Sequence, residues 1–150
     1  MDTLDREILA ELQNDGRLSV TELAQRIGLS VSPCHRRLKA LEDSGVITGY
    51  RAMLDPQQLG FGFETLVFVT MDAANRSTIP PFEAAVAALP QIIQAQRLIG
   101  ETDYLLRVVA KDLPAFQLLY DEELAALPGV RRLTTTLVMK SVVPERMLPL

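Results

Sequence analysis

Residues 28–45, GLSVSPCHRRLKALEDSG, decide how the first third of the chain folds. They hold its only histidine and its only cysteine, together with Arg36, Arg37 and Lys39. Gly28 and Gly45 bracket the stretch as helix stops. Ser30 stands at a cap position, and Pro33 falls in the first turn, where a missing N–H is tolerated. The spacing therefore predicts a helix. At 100° per residue, Val31, Cys34, Leu38 and Leu41 fall within about 80° and form an apolar stripe. The opposite side carries Ser32, Pro33, Arg36, Lys39 and Ala40, with His35 and Arg37 on the flanks. No acid interrupts this outer strip before Glu42.

Working outward, Leu4, Ile8, Leu9 and Leu12 recur at helical spacing, and Asp15-Gly16 ends that helix with Gly16 free to take a left-handed cap. Ser19 and Glu22 have the spacing of a capping box, in which two orphan amide donors are satisfied reciprocally. Leu23, Ala24 and Ile27 give the second helix its apolar side, and Gly28 closes it. Helix, short Gly-containing turn and helix make a helix-turn-helix, with the first helix as third wall of a small core.

An outer face of hydroxyls and bases suits the major groove. Arg36 could bond one guanine in two places, and Ser32 or His35 could donate to base acceptors. Lys39, Arg37 and the amides at the helix start would hold phosphates. A solvated amphipathic helix also carries outer charges, but the short turn, paired caps and trihelical setting favour a DNA reader.

The bulk charge does not help. The 150-residue chain carries a formal net charge of -4, so any DNA affinity must be local. The absence of Trp argues against stacking on single strands. Cys34 is alone, which fits a reducing compartment. MDTLDRE lacks an apolar leader core, and the apolar runs are too short for a bilayer; a cytoplasmic protein without a membrane partner is expected. Cys34 and His35 are adjacent and point about 100° apart, so they form neither a dyad nor a zinc site. No phosphate loop, nucleophile elbow or paired histidine appears, so no cofactor, metal site or catalytic residue is expected.

After Gly45 the periodicity changes. VITGYRAML (46–54) predicts a short strand and DPQQLGFG (55–62) a linker. Strands are then expected over 64–73, 92–99, 104–110 and 130–140, with helices over 79–89 and 113–127. The fold class is α+β: a helix-turn-helix domain over 1–50, a strand and hinge over 51–62, and a ferredoxin-like βαββαβ domain over 63–150. GETDY (100–104) joins two strands. Gly and Asp are ordinary turn residues. The same parts could also hold an α-amino acid: Glu101 and Asp103 its ammonium, the amides of Gly100 and Thr102 its carboxylate. Thr134 and Thr136 share one face of the last strand and would add hydroxyls.

Taken together, LDREILAELQNDGRLSVTELAQRIGLS, VSPCHRRLKALEDSGVITGY, DPQQLG and GETDYLLRV resemble the Lrp/AsnC, or feast/famine, transcription regulators over nearly the whole chain. The resemblance implies a winged helix-turn-helix and a ferredoxin-like sensor of the RAM type. It implies double-stranded DNA as partner, with contacts from Ser30, Ser32, Pro33, His35, Arg36, Arg37 and Lys39. It implies dimers formed through the sheets and assembly to an octamer, a tetramer of dimers. An amino-acid effector, leucine or another apolar one, would sit between dimers at Gly100 and Asp103, with Glu101, Thr102 and Tyr104 beside it. Ala40 stands where many members have Lys or Arg. Two other readings stay open: a regulatory subunit of an enzyme, and an oligomerising protein without effector.

Overall fold

The computed structural model describes residues 1–143 and 146–150, and they form two compact units. One comprises Met1–Met53 with Val143–Leu150, and the other Leu54–Val142.

The first unit holds α1 (Thr3–Asn14), α2 (Val20–Arg26) and α3 (Val31–Asp43). The box between Ser19 and Glu22 is present, with Glu22 held below its usual carboxylate range by the Ser19 hydroxyl and amide. A second box opens α1, where Asp2 and Asp5 each accept the other's backbone N–H at 2.9 Å. Gly28 and Gly45 take left-handed φ values of 69° and 75°, as the helix stops require. Gly16 does not; α1 ends on an extended Asp15, so the expected glycine cap is absent. Ile8, Leu23, Ala24, Cys34 and Leu41 form the core. Val31, expected on the apolar stripe, is 47% exposed, because the first residue of α3 lies at the margin of the sector.

The strand expected over 46–54 does not form. Ile47 donates to the Leu41 carbonyl at 3.1 Å, but beyond it no described strand pairs with the segment. A strand needs a partner to take its amides and carbonyls, and local propensity supplies none. Gln13 grips the Leu148 backbone with both ends of its amide, donating at 3.2 Å and accepting at 2.7 Å. Residues 146–150 thereby cluster with the helices rather than with the sheet.

The second unit follows the order β1 (Phe63–Met71), α4 (Ile79–Ala88), β2 (Ile92–Arg97), β3 (Tyr104–Ala110), α5 (Leu113–Leu119) and β4 (Val130–Leu137). The four strands are antiparallel in the order β2-β3-β1-β4, the βαββαβ topology expected. The second helix is shorter than the sequence predicts: Tyr120–Leu124 loosens into a π-type turn before Gly129. Asp112 caps α5 by accepting from Ala115 N–H at 2.9 Å. Alternation along β1 and β3 turns Val67, Val69, Tyr104, Leu106 and Val108 towards Phe82, Phe116 and Leu124. Within this unit, no described helix packs on the other face of the sheet. Across it, Arg107 and Glu64 form a bidentate pair at 2.6 and 3.2 Å.

Candidate DNA-reading helix and sensor turn

On α3, Ser30, Ser32, His35, Arg36 and Lys39 are exposed, while Pro33 and Arg37 are half-buried. Ser30 occupies the cap position, yet its hydroxyl makes no cap hydrogen bond and stays available. No salt bridge engages Arg36 or Lys39 among the described residues. Burial pushes the Cys34 thiol up, which suits its place in the core and not a reactive one.

Arg37 is different. Its guanidinium bonds Asp2 at 2.7 Å and Asp5 at 2.8 Å. The clamp ties the start of α1 to the middle of α3 and so fixes the angle of the reader helix. Hydrogen bonds from the Asp5 amide and from Arg37 hold the Asp2 carboxyl below its usual range, and the two carboxylates hold Arg37 firmly protonated. In the sequence, the Asp2 to Asp5 spacing within MDTLDRE is the signal for this second box. Arg37→Ala is expected to lower the melting temperature of the trihelical unit more than Lys39→Ala does, followed by circular dichroism. The clamp's contribution is present above the ordinary carboxylate value of 3.8 and is lost as pH falls through the lowered value in the folded state. Equal melting of the two variants at neutral pH would leave Arg37 as a plain phosphate contact.

Residues 98–103 join β2 to β3. Gly100 and Glu101 are exposed, Thr102 and Asp103 half-buried and Tyr104 buried. Asp103 is committed at three points. Its N–H donates to Val69 O at 2.9 Å, its carbonyl accepts from Leu98 N–H at 2.8 Å, and its Oδ2 accepts from Met71 N–H at 2.7 Å. Tyr104 packs its ring on Phe82 with centroids 4.6 Å apart and donates its hydroxyl to Glu83 Oε1 at 2.8 Å. Burial, then the Glu83 carboxylate, raises the phenol to about 12. Thr134 and Thr136 do share a face, opposite Phe68 and Leu66. They lie on β4, however, and β1 separates that strand from β3. Within one protomer the threonines and the turn therefore do not converge. No group of metal-ligating side chains occurs among the described residues, and no described helix is long and apolar enough to cross a membrane.

A trihelical unit with a basic reader face, joined to a separate βαββαβ unit, defines a two-domain DNA-binding regulator. Residues 1–48 match the winged helix-turn-helix DNA-binding model and residues 64–148 the Lrp/AsnC ligand binding domain. The chain belongs to the Lrp/AsnC family of transcriptional regulators. It is 39% identical over 142 residues to the leucine-responsive regulatory protein of Rhizobium meliloti, covering 95% of this chain and 91% of that protein. It is likewise 39% identical to the proline dehydrogenase transcriptional activator of Rhodobacter capsulatus, over 97% of this chain and 94% of that protein. Among solved structures, a Neisseria meningitidis transcriptional regulator in complex with L-Met superposes with a TM-score of 0.94. That pair shares 36% identity over 99% of this chain and 96% of the other. These relatives are regulators, not enzymes, and the regulatory-subunit reading falls with them.

Proposed function

We propose that this regulator binds a specific operator through α3 and that an amino acid tunes its assembly and its operator affinity. The reader strip supports the first part: Arg36 and Lys39 project from an exposed face and form no salt bridge among the described residues. Arg36, Ser32 and His35 take the base edges. Ser30, Lys39 and the amides at the α3 start take phosphates, Pro33 shapes the first turn, and Arg37 sets the helix angle. A dimer pairs two such helices, so the operator is a rough palindrome with half-sites about one helical turn, or a multiple, apart.

The helix-free sheet face supports self-association, first as dimers and then as a tetramer of dimers. Such a face, left open, would show water Leu66, Phe68 and Leu105 beside the Arg107–Glu64 pair. Apolar amino acids are the effector class. The L-Met complex of the Neisseria relative supports this. The turn 100–104 on one dimer, with Thr134 and Thr136 brought up from another, would receive the ligand. Binding must favour one assembly over another for the signal to reach DNA.

Arg36→Ala is expected to lower operator affinity by about ten-fold or more while affecting scrambled DNA much less, in gel-shift titrations at matched salt. Equal small losses on both sequences would reduce Arg36 to a phosphate contact.

A further inference from the structure

The turn offers a ligand less than its composition suggests, because one oxygen of Asp103 is already spent on the Met71 amide. A second place in the same unit has the handles a zwitterion requires. A cleft of about 210 Å³ opens between α4 and the edge strand β2. Phe82, Val86, Ile92 and Ala95 make its apolar wall. Its polar side chains are Glu83, Arg97 and Tyr104.

Their placement follows from the ladder. Arg97 stands directly opposite Tyr104 on β3, so the two side chains leave the sheet on one face. The Tyr104 hydroxyl is bonded to one oxygen of Glu83, reaching over from α4. The Glu83 carboxylate from α4 and the Arg97 guanidinium from β2 thus line the same cleft as that hydroxyl, with opposite charges. Yet no salt bridge joins Arg97 to Glu83, or to any other described residue. Opposite charges held apart across an apolar cleft match the two ends of an α-amino acid.

We infer that the cleft between α4 and β2 is a binding site for a free apolar α-amino acid. The carboxylate lies on Arg97, the ammonium on the open oxygen of Glu83, and the side chain on Val86, Ile92 and Ala95, with Phe82 buried beneath them. The wall is apolar, so a charged side chain would be buried there without a partner and is rejected. The site rests on the reading that this unit senses an amino acid, and it shares only Tyr104 with the turn at 100–104.

Calorimetric titration of the full chain with L-methionine and L-leucine tests it. Arg97→Gln and Glu83→Gln are each expected to weaken binding by at least about ten-fold, the effect of losing one charge-assisted hydrogen bond. Glu83→Gln retains an acceptor for Tyr104, so the fold should melt as the parent does. Ala95→Leu, on an exposed strand position, should fill the cleft and remove one bound ligand per chain. The methionine analogues lacking either the amine or the carboxylate should bind at least about ten-fold more weakly. Unchanged affinity in Arg97→Gln, together with loss in Glu101→Gln, would overturn the cleft and leave sensing at the turn intact. Failure of both amino acids to bind the parent chain would overturn the cleft and the sensing reading together.

Discussion

Phe82→Ala is expected to destabilise the βαββαβ unit by about 3–5 kcal/mol, the usual cost of removing a buried aromatic ring. Phe82 is 0% exposed and is the largest fully buried side chain among the described residues. It comes from α4 just after Pro80 and Pro81, which set the entry of that helix. Its ring stacks at a tilt against Tyr104, and Val67, Val69 and Leu106 of the central strands complete the cluster around it. Collapse into the void is hindered from both sides. The sheet is braced by its ladders, and α4 is held by the Tyr104 to Glu83 hydrogen bond. Urea unfolding followed by far-ultraviolet circular dichroism gives the number, and Phe82→Leu should lose markedly less. A loss under about 1 kcal/mol would mean that α4 is not seated by this ring. The same variant should also weaken amino-acid binding in the cleft, whose lining rests on this ring.

The parts of this molecule legible in its sequence are those fixed by neighbours in the chain. The Ser19 and Glu22 box, the left-handed Gly28 and Gly45, and the Asp112 cap depend on a few adjoining residues. Their geometry follows once the residue types are in place. Element order was legible too, since strand-like and helix-like runs succeed one another from 64 to 140 and give βαββαβ. What escaped depends on distant partners. The 46–54 segment has strand-like composition and no ladder. Arg37 has the chemistry of a phosphate contact, but α1 brings Asp2 and Asp5 against it. Glu83 and Arg97 lie on a helix and a strand with nothing in their spacing to join them; only the α4 crossover brings both to Tyr104. The turn 100–104 was visible as a constellation, but the commitment of Asp103 to Met71 was not.

That commitment changes what a substitution at Asp103 would mean. Asp103→Ala is expected to cost about 1–3 kcal/mol even without ligand, because it strands a buried donor. The donor is the N–H of Met71, a residue 4% exposed. At Met71 the register between β1 and β4 shifts, so the regular ladder is interrupted there. The Asp103 carboxylate fills the gap at 2.7 Å. A lost response to amino acids in the alanine variant would therefore not distinguish a ligand contact from a collapsed turn. Asp103→Asn separates the two, since the amide oxygen can still accept from Met71 while the charge is gone. It should melt within about 1 kcal/mol of the parent. If Asp103 also holds the ammonium of an effector, the asparagine variant will bind at least about ten-fold more weakly despite its intact fold. If its affinity matches the parent's, Asp103 is a strut of the turn, and the polar handles for the effector lie on other side chains. Melting and calorimetric titration on the same three proteins decide between these outcomes.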